Sequence, residues 1–344
     1  MPRLPDPRGP LSEALVAALV APPGTRLSVP VSAPSDPLAD DDLHLALYVL
    51  YELHYRGFDG VDDRWEWDPG ALALRAQLEA VFEDGLRAAL AGWTAPPAGA
   101  ATMDLALRAV ADADDGPSLS RYLEVTGTLE QFREFAIHRS AYQLKEADPH
   151  SWALPRLSGP PKAALVEVQA DEYGGGDPAR IHAQLFADAM DALGLDNTYG
   201  AYLDLLPGVT LATVNLMSLL GLHRRHRGAI VGHLALFEMT SSIPNRRYAT
   251  ALRRLGVTDR RATEFFDEHV TADAVHENIA AVDLAGGLVR QSPSLTGDVL
   301  FGARALVEVE ARWAAHLLDA WEAGRSSLAD PAGLRAGAGA EAGG

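Results

Sequence analysis

The sequence predicts an all-α protein, on three observations. Apolar residues recur at three- and four-residue spacing through most of the chain. No convincing stretch alternates with period two, as a half-buried strand would. The breaks between apolar runs fall at Pro, Gly, Asp, Ser and Thr clusters of the kind that start and stop helices. There is no internal repeat, no phosphate-binding glycine loop and no nucleophile-elbow motif. The glycine run Gly174–Gly176 follows no strand, so it lacks the context of a dinucleotide site.

Residues 1–38 are rich in Pro, Ser and Asp and read as a mostly irregular arm, with room for one helix at the apolar patch Leu11–Val20. Asp40, Asp41 and Asp42 then complement the N-terminal dipole of a helix on which Leu43, Leu47, Leu50 and His54 share one stripe and which Gly57 ends. In the next segment, 58–69, Trp65 and Trp67 are better packing anchors than its acids are ligands. Asp68-Pro69 opens a further helix, since Pro suits the first turn. A loop from Gly92 to Gly99 separates it from another helix near Met103–Ala113. Residues 39–115 therefore read as an N-terminal helical domain, bounded by Asp114–Pro117.

After that boundary, Thr128 starts a long helix predicted to run to Asp148-Pro149. Pro160 and Pro161 open the next helix, and Gly174–Gly176 break or kink it. Asp177-Pro178 restart a helix that Gly194 closes. Two apolar helices follow, near Thr210–His223 and Ile230–Ser242. Asn245 is expected to cap a separate helix, and Thr258-Asp259 to start another. A last helix is predicted from Asp298 to Glu322, ahead of a disordered tail at 328–344.

Bulk numbers narrow the function. The net charge of −18 argues against nucleic acid or an anionic membrane as partner. With no cysteine, disulfides, iron–sulfur clusters and thiolate chemistry are excluded, and any metal must sit on His, Asp and Glu. The N-terminus lacks the apolar run of a signal peptide, and no apolar run is long enough to span a bilayer, so the expected location is the cytoplasm.

The stretch that carries chemistry is His269-Val-Thr-Ala-Asp273-Ala-Val-His276. At about 100° per residue, positions i, i+4 and i+7 share one helical face, so the imidazoles of His269 and His276 flank the Asp273 carboxylate. Mixed N/O donors suit zinc or iron, and three donors need help from other helices. A solvated helix face would show the same pattern. Glu146 is the candidate on the first core helix, although an acid near a helix C-terminus also reads as surface. His182, between Ile181 and Leu185-Phe186, reads equally as a core histidine. Glu172 has Glu167 and Asp171 as rivals, and ten residues from Glu172 to His182 put the two off a shared face unless the glycine run reorients one. His223 and His226, among Arg224, Arg225 and Arg227, read as surface. His233 is a candidate for lining a cavity. His54, His138, His150 and His316 show no ligand spacing. Met217, Leu220, Phe237 and Met239 read as core or as a roof over the site.

Residues 144–157, 164–186 and 269–276 together resemble the haem-oxygenase-like diiron oxidase/oxygenase family, also called iron-containing redox enzymes. The likeness covers roughly residues 125–325. It implies a seven-helix haem-oxygenase-like core at 120–325, with the N-terminal domain serving a homodimer. It also implies two Fe(II) per chain on Glu146, Glu172, His182, His269, Asp273 and His276. O2 would be the co-substrate for oxidation of a small amine, amino acid or fatty acid (N-oxygenation, desaturation or C–C scission). An external reductant is a further implied partner. One carboxylate that some members carry three residues before the second-helix His is Ala179 here. Arg133, Arg139 and Gln143 lie on the helix leading to Glu146 and could hold a substrate carboxylate. Two other readings stay open: a cofactor-free enzyme of the same fold acting on a small heterocycle, and a non-enzymatic metal-binding scaffold.

Overall fold

In the computed structural model the described residues are 1–329, apart from Arg26, Ser28 and the side chains of residues 273–275. Residues 330–344 of the expected disordered tail lie outside them, whereas its first two residues are held in place, Leu328 buried in the core and the Ala329 N–H donating to the Leu205 carbonyl. Among the described residues there is no strand, and the all-α expectation holds.

The helices are α1 (Pro10–Leu19), α2 (Asp41–Glu52), α3 (Pro69–Ala89), α4 (Met103–Asp112), α5 (Leu119–Val125), α6 (Leu129–Gln143), α7 (Asp148–Ser151), α8 (Gly159–Glu172), α9 (His182–Ala192), α10 (Gly208–Leu222), α11 (Arg227–Arg254), α12 (Arg261–Asn278), α13 (Gly287–Gln291) and α14 (Thr296–Glu322). Local chemistry explains their starts. The Asp40 side chain accepts from the Leu43 N–H, and Asp68 accepts from Gly70 and Ala71. Thr128 and Gln131 form a reciprocal capping box at the head of α6.

Three segments depart from expectation. Helix α6 ends at Gln143 instead of continuing to Asp148, so Glu146 sits in a turn. Ala147 closes that turn at φ 72, the one positive φ outside glycine among the described residues. Helix α11 runs unbroken through Pro244, where two helices were expected with Asn245 as a cap. A proline removes one hydrogen bond but need not end a helix whose two halves are packed on both sides. In the acidic Trp segment, Trp65 is the anchor, fully buried with its indole N–H on the Ala21 carbonyl, whereas Trp67 is exposed.

Two apolar clusters build the interior. One joins α2 and α3 to α10, α11 and α14 through Leu47, Leu50, Phe82, Leu216, Leu234 and Leu300, so residues of the N-terminal segment share a core with later helices. The other packs Phe132 and Phe135 of α6 with Phe186, Phe265, Phe266 and Trp313. Helix α11 touches both, lying against α12 and α14. Where α11 crosses α14, a Cβ at Gly232 would collide with the Val299 carbonyl, and one at Gly302 with the Ala229 carbonyl. The two glycines thus let the backbones touch and set the depth at which α11 sits. After α12 the helix widens into a π-helical stretch, Ile279–Gly286. Among the described residues no helix is long and apolar enough to cross a membrane.

The α11–α14 crossing makes a direct prediction. Gly302→Ala forces the helices apart and is expected to cost about 3 kcal/mol, the upper range for overpacking. Urea unfolding checks it, with Gly297→Ala, at an open position on the same helix, as the control expected to be neutral or stabilising.

Candidate metal centre

Four buried side chains from four segments converge. Glu146 comes from the turn after α6, Glu172 from the last residue of α8, His182 from the first residue of α9 and His269 from α12. One donor atom of each lies within 4.8 Å of the others. Glu172, Glu238 and His276 form a second such group, so Glu172 belongs to both. Asp273 lies in α12 between the two histidines, and its side chain is outside the described residues.

The glycine run resolves the helical-face problem. Gly174, Gly175 and Gly176 all take positive φ, and Gly174 packs so closely on the Arg180 backbone that a Cβ would not fit. The chain therefore leaves α8 and re-enters α9 with Glu172 and His182 face to face, the Glu172 Oε2 3.0 Å from the His182 Nδ1. Of the rivals, Glu167 is exposed and Asp171 points elsewhere, accepting from the His276 Nε2 at 3.0 Å.

The imidazoles are oriented by what their outer nitrogens do. His269 Nδ1 donates to the Phe265 carbonyl at 2.8 Å, which leaves Nε2 as the nitrogen facing Glu146. His276 gives its Nε2 to Asp171 and turns Nδ1 toward Glu238, 3.3 Å away. His182 Nδ1 and His276 Nδ1 lie close to carboxylates without the alignment of a hydrogen bond, and Glu146 Oε2 is buried with no hydrogen-bond partner. In both donor groups, buried ligand atoms thus lie close together without a well-aligned hydrogen bond, which is the arrangement a cation would complete.

Charge tells the same story. Burial opposes ionising Glu172, yet His182, His269 and His276 override it and hold its pKa at about 2. Burial likewise opposes charging His182, and the adjacent Glu172 still raises it. For His276, burial is outweighed by Glu238, with Asp171 and Glu172 adding, and the pKa rises to about 9. In the metal-free protein a proton on His276 thus supplies positive charge beside these carboxylates, and Glu172 biases His182 the same way.

A cavity of about 10 Å³ lies at the heart of the cluster, walled by Tyr142, Glu146, His150, Gln169, Glu172, Glu238 and His269 among others, with no Lys or Arg in its lining. A larger cavity of about 400 Å³ meets it at Glu146, Phe237, Ser241 and His269. Phe135, Phe186, Phe265, Phe266, Tyr248 and Trp313 give that larger cavity an aromatic wall, beside polar residues such as Thr240, Asn245 and Glu310. Arg139 and Gln143 line it, whereas Arg133 does not and instead donates to the Leu193 carbonyl.

Sequence reasoning passed over two residues here. Glu238 is the one acid in the apolar run of α11, and an acid in such a run was the available signal. It supplies a carboxylate where position 179, exposed outside the cluster, has only Ala. His150 lines the small cavity and pairs with His233, Nε2 to Nδ1 at 3.1 Å; burial lowers the pKa of both, keeping the pair neutral. Nothing in the spacing marked it. His226 is buried against Glu83 rather than at the surface, while His223 is partly exposed against Glu79. Of the four expected roof residues, Phe237 reaches both cavities; Met217 and Leu220 are core.

The sequence profile of the iron-containing redox enzymes matches residues 133–311, just over half of the chain, and no curated protein matches it. That matched stretch carries every side chain of both donor groups on an all-α frame, and the chain belongs to the iron-containing redox enzyme family.

Proposed function

We propose that this iron oxidoreductase is a non-haem diiron oxidase or oxygenase that uses O2 to oxidise a small molecule held in the aromatic cavity. The observation that carries the reading is the shared Glu172. Three buried carboxylates (Glu146, Glu172 and Glu238) and three buried imidazoles lie in two donor groups joined at one residue. Buried carboxylates without nearby Lys or Arg demand compensating charge, and two divalent cations supply it. The donor chemistry, mixed imidazole and carboxylate, suits iron.

Glu146, His182 and His269 would hold one ion and His276 and Glu238 the other, with Glu172 shared by both donor groups. Bound Fe(II) supplies the O2 chemistry that no side chain possesses. The chain's own residues do the rest. Phe265's carbonyl and Asp171 fix the tautomers of His269 and His276. Phe237 and the aromatic lining exclude water at the mouth between the cavities. The neutral His150–His233 pair stands at the wall as a hydrogen-bond chain leading away from the ions.

The larger cavity bears on which substrate class fits. Arg139 and Glu310 both line it and form a bidentate pair, Nη1 to Oε1 at 2.9 Å and Nη2 to Oε2 at 2.6 Å, with Trp313 3.9 Å from the guanidinium. A ligand with one charge would leave this pair unbalanced. A head group carrying both charges would not, since the guanidinium keeps spare N–H donors and the carboxylate spare lone pairs. Arg139 lies in the last turns of α6 and Glu146 in the turn that follows, and both line the larger cavity. Among amines, fatty acids and amino acids, this favours an elongated amino acid.

Two measurements test the reading. Anaerobic titration with Fe(II) is expected to reach two equivalents per chain, Glu238→Gln to keep one and Glu172→Gln to weaken both. Oxygen exposure of the loaded chain should then give a rapid optical transient. Uptake near zero would point to a cofactor-free enzyme, and uptake without O2 consumption to a scaffold.

Because His276 keeps its proton to about pH 9 in the metal-free chain, uptake at pH 7.5 releases protons and apparent affinity climbs as pH rises toward 9. The same sign applies to the metal-free fold: the stabilisation from protonated His276 is complete below the ordinary histidine range and fades as pH passes about 9. Calorimetry in two buffers of different ionisation enthalpy counts the protons.

For the substrate, 2-aminooctanoate is expected to bind at least tenfold (about 1.4 kcal/mol) tighter than octanoate or octylamine. Glu310→Gln, which unpairs Arg139, should reverse the preference toward octanoate. Octanoate binding best to the parent would remove the amino-acid assignment.

A further inference from the structure

Behind Glu146, on the side away from the cavities, lies a buried ion pair between parts of the chain 93 residues apart. Glu52, the last residue of α2, and Lys145 are 0 % and 1 % exposed, with Nζ 3.0 Å from Oε2. The Tyr199 hydroxyl donates to the same oxygen at 2.6 Å, and the Arg56 backbone N–H donates to the other at 3.2 Å. Lys145 Nζ also sits 4.2 Å from the centre of the Tyr55 ring. Neither Glu52 nor Lys145 lines either cavity.

These contacts converge on one short turn. The Arg56 guanidinium donates to the Leu144 carbonyl at 2.9 Å, Glu52 fixes Lys145, and the Gln169 amide donates to the Ala147 carbonyl at 2.9 Å. Within this turn Glu146 is the residue that lines both cavities, with Ala147 beside it at the small one. Ala147 holds a left-handed conformation that costs an L-residue energy and persists only where its surroundings impose it. A buried ion pair is a poor way to add stability, because well-packed apolar residues often do as well. What it offers is a defined geometry.

We infer that Glu52 and Lys145 are positioning residues: the N-terminal helix α2 clamps the 144–147 turn so that Glu146 presents its carboxylate to the metal. The inference rests on the metal-binding reading above. It gives residues 41–56 a part in the centre although they contribute no donor to it.

The test replaces both charges at once. Glu52→Gln/Lys145→Met leaves no unpaired buried ion, so it is expected to melt within a few degrees of the parent. Anaerobic Co(II) titration, followed by visible absorption with a competing chelator, reads the two equivalents separately. The equivalent that Glu146→Gln abolishes should bind at least tenfold more weakly in the double variant, and the other should be unchanged. A folded double variant with parental affinity for both equivalents overturns the inference. Tyr199→Phe, which keeps both charges, should shift the same equivalent in the same direction by about threefold, and no shift would overturn it if the double variant does not fold. A parent chain that binds no Co(II) would instead overturn the metal reading itself.

Discussion

Three buried carboxylates, Glu146 and Glu238 each within reach of Glu172, are the constraint around which this structure is arranged. Each would be costly to bury alone, and together they repel. The fold answers in two ways. It lays His182, His269 and His276 against them, and it keeps a small cavity at their centre where divalent cations would take over from protons. The raised pKa of His182 and His276 is the signature of that provisional compensation.

The surrounding architecture keeps these groups from relaxing outward. The carbonyl of Phe265 and the carboxylate of Asp171 fix two rings from behind. The glycine run turns the chain between α8 and α9, so two donors ten residues apart meet. The near-contact crossing of α11 with α14 at Gly232 and Gly302 seats the helix that carries Glu238. Such second-layer contacts govern metal sites as much as the donors do. They also divide labour in space: three carboxylates line the small cavity, and the larger one offers an aromatic wall and the Arg139–Glu310 ion pair.

How much of this could be read from the chain varies with the distance over which each feature is determined. Helix starts were legible because capping is local: Asp40, Asp68 and Thr128 announce them. Helix ends were less so. The expected continuation of α6 to Asp148 failed because the turn at Glu146 is held by Glu52, Arg56 and Gln169, all remote in sequence. The expected break at Pro244 failed for the converse reason, since tertiary packing on α12 and α14 carries α11 through a residue that would end an isolated helix. Glu238 and His150 escaped notice because each is a lone polar residue whose meaning depends on what lies across the cavity.

The sequence by itself determined the all-α class, the absence of thiolate chemistry and the placing of His269 and His276 on one helical face, because helical periodicity and residue type act within a single segment. Only the tertiary structure decided that Glu172 rather than Glu167 or Asp171 meets His182, that Glu238 joins the centre and that α2 stands behind Glu146. Those choices depend on which helix faces meet at which depth, and that is set by packing between segments far apart along the chain.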